Sequence, residues 1–85
     1  MAWPFMAMPT LDDLRQQLAR RGVRWTVVPD PSDPTGAFDS GYFEHDVGGQ
    51  TVSCPVSTRR GQPLNPDLVR HIYRRLVLAD DPFDL

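Results

Sequence analysis

The stretch YFEHDV-GG-QTVSCPV constrains the fold of this chain more than any other part of the sequence. Residues 42–47 and 50–56 are two runs that alternate apolar and polar side chains, and Gly48 and Gly49 lie between them. Two adjacent glycines tolerate the positive backbone angles that a two-residue hairpin turn needs. The pattern therefore predicts an antiparallel hairpin in which Val47 faces Gln50.

This register assigns every hairpin side chain to one face of the sheet. His45 is then opposite Val52, and Phe43 is opposite Cys54, because directly opposed residues share a face. One face is apolar and the other carries polar groups, which is typical of an antiparallel sheet covered on a single side. We therefore expect Cys54 to be a small buried side chain and His45 to be a structural residue on the covered face.

Sequence signals on both sides of the hairpin predict two helices and a further strand. Thr10 is a suitable N-cap, and leucines repeat at three- and four-residue spacing up to Gly22, which predicts a helix over residues 11–21. The run VRWTVV, residues 23–28, alternates as a half-buried strand does. Asn65 and Pro66 begin a second helix that is predicted to reach about Ala79.

The order helix, strand, strand, strand, helix predicts an α+β domain of two layers. In this arrangement a three-stranded antiparallel sheet carries two helices on one face. Residues 29–40 hold three prolines and a glycine and are predicted to form a long loop. The predicted organisation is an apolar N-terminal arm over residues 1–9, a single domain over 10–79 and an acidic tail over 80–85.

Composition narrows the classes of function. The chain has 85 residues, a net charge of −2, one cysteine and two histidines. A single cysteine excludes an internal disulfide, and with two distant histidines it makes no recognisable zinc site, so no metal or cofactor is predicted. We recognise neither a secretory signal nor a membrane span, which favours a cytoplasmic protein.

The N-terminal arm is nearly all apolar and holds the aromatic residues Trp3 and Phe5. Three interpretations remain open: the arm docks on its own domain, it contacts a partner or a second copy in a dimer, or translation begins at Met8 and residues 1–7 are not native. Aromatic anchors often dominate interfaces, so Trp3 and Phe5 are candidate binding residues.

A second candidate surface is basic. Every basic residue of the chain other than histidine is an arginine, and RHIYRR places three arginines and a histidine within six positions. Three interpretations of these side chains remain open. They are the solvent-exposed side of an amphipathic helix, or a contact for phosphates or an acidic partner. The least favoured interpretation is a ribonuclease site built on His71. The predicted arginine patch comprises Arg59, Arg60, Arg70, His71, Arg74 and Arg75.

The run VSCPVSTRRGQPLNPDLVRHIYRRLVL resembles the HicA family of small bacterial toxins. The similar features are a last strand that ends in Pro55-Val56, a short polar loop, and a final helix whose branched apolar residues alternate with arginines. The resemblance implies a fold like the double-stranded-RNA-binding domain and cleavage of mRNA without a metal. The catalytic histidine of that family follows a glycine at the start of the second strand, whereas this chain reads Asp39-Ser40-Gly41 there.

These observations favour a small non-catalytic binding protein, an inhibitor or regulator of the kind that phages and mobile elements encode. It would act through the arginine patch and the apolar arm, with an acidic protein as the favoured partner and RNA as the alternative. Two other hypotheses remain, a diverged HicA-like mRNA interferase and a plain double-stranded-RNA-binding-like module. The sequence leaves the oligomeric state open.

Overall fold

The structure is a computed structural model that describes residues 8–80, 82 and 83. The elements along the chain are α1 (Leu11–Ala19), β1 (Arg24–Val27), β2 (Phe38–Val47), β3 (Gln50–Arg59) and α2 (Pro66–Arg75). The strands form one antiparallel sheet in the order β1-β2-β3. The predicted α+β class, two helices with a three-stranded antiparallel sheet, is confirmed.

The hairpin has the predicted register, but it is longer than predicted. Val47 pairs with Gln50 and Phe43 with Cys54, and the ladder continues to the pair Phe38 and Arg59. The loop predicted over residues 29–40 therefore loses residues 38–40 to the sheet, and β3 continues to Arg59, three residues beyond the predicted run of residues 50–56. The two glycines set the alignment, and the strands go on pairing through polar residues whose composition is typical of loops.

The first helix begins at a capping box. The Asp13 amide donates to the Thr10 hydroxyl at 3.3 Å, and the Thr10 amide donates to the Asp13 carboxylate at 3.0 Å. The helix ends at Ala19, two residues before the predicted end at residue 21. Gly22 has a φ of 80°, and the Val23 amide bonds the Leu18 carbonyl across it, so the residues before Gly22 already belong to the turn.

The second helix ends at Arg75, not at about Ala79 as predicted. Val77 has a φ of 57°, in the left-handed region, and the Leu78 amide bonds back to the Tyr73 carbonyl at 2.9 Å. This turn directs Leu78 into the core, where it is buried. The left-handed residue is a valine, so no glycine in the sequence signals the end of the helix.

The core lies between the helices and one face of the sheet, and it includes the chain beyond α2. Cys54 is fully buried, as predicted from its register. Tyr73 and Phe83 are also buried. The sequence pattern did not assign Tyr73 to either the buried or the exposed side of α2, and Phe83 lies in an acidic segment. The buried apolar set is Leu11, Leu14, Leu18, Val23, Phe43, Cys54, Val56, Leu64, Val69, Ile72, Tyr73, Leu76, Leu78 and Phe83.

The indole of Trp25 connects β1 to the centre of the sheet. Its ring centroid lies 4.8 Å from that of Phe43 in a tilted arrangement. Gly41 on β2 lies beside this ring, and a Cβ added there would stand 2.7 Å from the indole and 2.1 Å from the Thr26 carbonyl oxygen. The absence of a side chain at Gly41 is therefore what lets β1 and its tryptophan lie against β2.

Candidate functional site: the basic face of the second helix

The arginines of the predicted patch fall into two groups. Arg59 is the last residue of β3 and Arg60 follows it, whereas the others belong to α2. Arg75 donates from its guanidinium to the Ser53 carbonyl at 3.3 Å. Ser53 and Arg59 are six residues apart on β3, a span of about 20 Å in an extended strand.

The group at the end of β3 is engaged with neighbouring side chains. The guanidinium of Arg59 lies 5.3 Å from the centre of the Phe38 ring. The Nε of Arg60 donates to the Asp39 carboxylate at 3.1 Å. Much of the charge of Arg60 is thus balanced within the chain.

On α2, Arg70 differs from its neighbours. Its guanidinium lies 5.0 Å from the centre of the Phe83 ring, and its Nη1 lies 3.9 Å from an Asp67 carboxylate oxygen. The residue is only half-exposed, because the chain after α2 packs against it. Arg70 therefore helps to hold Phe83 in place by a cation–π contact.

His71, Arg74 and Arg75 are the exposed basic residues of the helix, and we term them the α2 basic face. His71 and Arg75 are one helical turn apart, and Arg74 lies between the two in sequence. Within the described residues, none of the three has a carboxylate at ion-pair distance. Among the described residues, the one hydrogen-bond partner of these side chains is the Ser53 carbonyl, which accepts from Arg75 and leaves the positive charge uncompensated.

Most of the other arginines differ from Arg74 and Arg75 in this respect, although Arg20 and Arg59 also have no carboxylate within 4 Å among the described residues. Five of the nine arginines have a carboxylate within 4 Å in the described part of the chain. Arg74 and Arg75 also occupy the last turn of α2, where cations interact favourably with the carbonyl end of the helix dipole. That interaction stabilises the helix but leaves the outer side of each guanidinium open to a partner. The five pairs are Arg15 with Asp12, Arg21 with Asp80, Arg24 with Asp46, Arg60 with Asp39, and Arg70 with Asp67.

A shallow cleft of about 240 Å³ adjoins Arg74. Tyr73, Leu78 and Pro82 contribute to its lining together with Asp80, whose carboxylate is paired with Arg21. Burial raises the pKa of the Tyr73 hydroxyl, so this group is neutral over the physiological range. The cleft thus combines apolar surface with an unpaired guanidinium.

His45 has a structural contact. Its Nδ1 lies 2.7 Å from the Leu76 carbonyl oxygen, at the end of α2. A carbonyl oxygen only accepts, so Nδ1 carries the proton and donates it to Leu76. The side chain is half-buried on the helix-covered face, as the hairpin register predicted.

The open face of the sheet carries a network of charged and polar groups. Arg24 donates two hydrogen bonds to the Asp46 carboxylate, at 3.1 and 3.2 Å, and the Thr51 hydroxyl donates a third at 2.7 Å. The hydrogen bonds from Arg24, and to a lesser degree the one from Thr51, hold the pKa of Asp46 below its usual value. Tyr42 and Phe38 are the aromatic residues that this face presents among residues 24–59.

The remaining predicted site residues, Trp3 and Phe5, lie outside the described residues. The predicted binding roles of the arginines and of this aromatic pair stay predictions. Sequence patterns alone did not identify Phe83 as the residue that contacts Arg70. An aromatic residue within an otherwise acidic segment is a signal that could have indicated its burial.

Residues 8–80, 82 and 83 contain neither a metal-binding cluster nor a membrane-spanning helix. No three histidine, cysteine, aspartate or glutamate side chains among them gather closely enough to hold a metal ion. Neither α1 nor α2 has the length and the apolar run that crossing a membrane requires. Comparison with protein-family models, curated proteins and solved structures found no match.

Proposed function

We propose that this protein is a small non-catalytic binding protein, an inhibitor or regulator, whose α2 basic face contacts an acidic segment of a protein partner. The observation that carries the proposal is that Arg74 and Arg75 form no ion pair with a described residue, whereas five other arginines do. Arginine binds carboxylates through two parallel hydrogen bonds, so an exposed pair without an internal partner suits an acidic ligand.

The adjoining cleft supports a protein ligand over a simple anion. Its apolar lining from Leu78 and Pro82 lies next to Arg74. A peptide with a carboxylate followed by an apolar side chain would satisfy both features at once, because interfaces combine desolvated apolar anchors with charged contacts at the rim. A phosphate group would use only the guanidinium.

Charge elsewhere on the molecule favours protein over nucleic acid. The chain has a net charge of −2, whereas domains that bind nucleic acid mainly through phosphates are usually basic. Glu44 and Asp46 lie on the open sheet face, where they would repel a phosphate backbone. A basic surface limited to α2 is thus better suited to a short acidic segment.

The histidine geometry supports binding over catalysis. Acid–base cleavage of RNA needs an imidazole that can reach the substrate inside a site that encloses it. The Nδ1 of His45 is bonded to the Leu76 carbonyl, and His71 lies exposed on a convex helix surface. The proposal therefore assigns no catalytic role to either histidine.

The test measures binding of a fluorescent ten-residue polyglutamate peptide and of a labelled RNA hairpin by anisotropy. We expect the peptide to bind and the Arg74→Glu variant to lose at least about tenfold in affinity, an amount typical of one charge-assisted contact with added repulsion. Arg20→Glu is the matched control, since Arg20 is also exposed and makes no ion pair with a described residue.

Three results would contradict the proposal. Equal loss in Arg74→Glu and Arg20→Glu would mean that only net charge matters. Tighter binding of the RNA than of the peptide, again lost in Arg74→Glu, would replace the protein partner with RNA. RNA cleavage that disappears in His71→Ala would make the protein a nuclease.

A further inference from the structure

The two outer edges of the sheet differ in how well their backbone groups are protected. The Val28 amide donates to the Ser40 carbonyl at 3.0 Å, which identifies Val28 and Ser40 as a hydrogen-bonded pair of the ladder between β1 and β2. Hydrogen-bonded and non-bonded pairs alternate along an antiparallel ladder. The N–H and C=O groups of Trp25 and Val27 therefore point away from β2, toward the outer edge.

No described residue makes a hydrogen bond to these outward groups. The edge is closed on both sides of them. The Val23 amide is already bonded to the Leu18 carbonyl, and Pro29 has no amide hydrogen. The open part of β1 is therefore a window of two outward residues, Trp25 and Val27, with Thr26 at its centre.

The outer edge of β3 is blocked at its centre, whereas the outward backbone groups of Thr51 and Ser57 on either side have no hydrogen bond to a described residue. The same alternation makes Ser53 and Pro55 outward-facing on β3, because the Arg60 amide bonds the Ala37 carbonyl in the ladder between β2 and β3. Pro55 offers no amide hydrogen, and the Ser53 carbonyl accepts from Arg75. Proline and a covering cationic side chain are devices that prevent a sheet edge from pairing with another strand.

From this difference we propose that β1 pairs with β1 of a second copy, so that two chains form a continuous six-stranded sheet across a two-fold axis at Thr26. Antiparallel pairing about Thr26 places Trp25 opposite Val27 of the other copy, and Val27 opposite Trp25. Each of these two pairs then exchanges two backbone hydrogen bonds. The window thus complements itself, as an isologous interface requires.

The exposed side chains fit the same arrangement. Val27 is 64% exposed and Val28 is 47% exposed, although both are large and apolar. In the proposed register Val27 lies beside the Trp25 indole of the other copy, and Val28 lies opposite the aliphatic part of Arg24. A cleft of about 660 Å³ between α1 and β1 leaves space along this edge.

The central test uses charge at the two-fold axis. Thr26 lies opposite itself in the proposed dimer, so Thr26→Lys and Thr26→Glu each place like charges face to face. We expect each variant alone to associate about fivefold more weakly than the natural protein, and an equimolar mixture to recover association through the Lys–Glu pair. Sedimentation velocity over a range of concentrations measures the mass against the 9.6 kDa of one chain.

A second variant tests the hydrogen bonds. Val27→Pro removes an outward amide that no described residue uses, and it should weaken association about tenfold or more, since two bonds are lost per dimer. Ser53→Lys is the control at the blocked centre of the β3 edge and should leave association unchanged. Circular dichroism of each variant establishes that the monomer remains folded.

Several outcomes would overturn the proposal. These are a single chain of 9.6 kDa at every concentration up to about 1 mM, association that is unchanged in Val27→Pro, and a failure of the mixed Thr26 variants to associate better than either alone. Capture of a foreign peptide at this edge by a protein that never self-associates would replace the second copy with that peptide. The polyglutamate assay concerns α2, so its result is independent of this one.

Discussion

The two edge strands of the sheet are held in place by different means. β3 pairs along ten residues with β2 and is joined to it by a two-glycine turn, and α2 reaches over its outer edge through Arg75. β1 has four residues and depends on the fit of Trp25 beside Gly41. The comparison shows that the locally determined strand has an edge blocked at its centre, whereas the strand held by a tertiary contact has an edge that is open there.

The largest expected effect on stability comes from disturbing the packing of β1 against β2. Gly41→Ala puts a Cβ 2.1 Å from the Thr26 carbonyl oxygen and 2.7 Å from the indole of Trp25. Backbone and a packed ring must both move, so we expect a loss of at least about 3 kcal/mol in the free energy of unfolding. Chemical denaturation followed by tryptophan fluorescence measures it.

Gly36→Ala is the control for this substitution. Gly36 has a φ of 66°, but a Cβ there meets only an Arg60 guanidinium nitrogen at 4.0 Å. The cost should be about 1 kcal/mol, from backbone strain alone. Equal losses in the two variants would show that β1 does not depend on space at Gly41.

A smaller effect is expected on the side of β3 and α2. His45→Ala removes the bond from Nδ1 to the Leu76 carbonyl and leaves that acceptor without its partner, which should cost about 1–3 kcal/mol in the free energy of unfolding. His45→Asn keeps a donor near the position of Nδ1 and should recover part of the loss. If the alanine variant is as stable as the natural protein, His45 does not connect β2 to α2.

The next effect concerns α1, which packs against β1. Thr10→Ala removes one half of the capping box, and we expect a loss of about 1 kcal/mol in unfolding free energy. Thr10→Ser retains the hydroxyl and should be close to the natural protein. Thermal unfolding of the three proteins decides the matter, and similar losses for serine and alanine would mean that the hydroxyl is not the stabilising group.

The smallest effect is the pH dependence of the network that spans all three strands. Arg24 on β1 and Thr51 on β3 both donate to Asp46 on β2, and they lower its pKa in the folded protein. A lowered pKa means that the contribution is complete at neutral pH and is lost as pH falls below about 4 and through the folded pKa.

The Arg24→Gln variant isolates this contribution. This substitution removes the largest cause of the low pKa of Asp46. The stability of the variant should therefore fall less steeply than that of the natural protein between about pH 5 and pH 3. Denaturation midpoints measured at several pH values provide the test. Parallel pH profiles for the two proteins would mean that the ion pair does not couple β1 to the rest of the sheet.

Much of the fold could be predicted from local sequence patterns. The Gly48-Gly49 turn determined the hairpin register down to the pairs of His45 with Val52 and Phe43 with Cys54. The side chains of Thr10 and Asn65 marked the starts of both helices. Such signals operate within a few residues, so no knowledge of distant contacts was needed to interpret them.

The candidate site could be predicted from the sequence only in part. The arginines of α2 were predicted to face solvent because of their helical spacing, and Arg74 and Arg75 are exposed. The partners of Arg21, Arg24 and Arg60 could not be predicted, since Asp80, Asp46 and Asp39 lie far away in sequence. Pairing of long side chains depends on which backbone segments the fold brings together.

The amino-acid sequence by itself determined the element order, the hairpin register and the face of the sheet that is buried, because turn geometry and side-chain periodicity are local properties. The tertiary structure decided where α2 ends, that Phe83 joins the core beneath Arg70, and which sheet edge stays open. Each of these depends on close packing between segments distant in the chain. Space beside a glycine or an unpaired amide exists only once the other elements are in place.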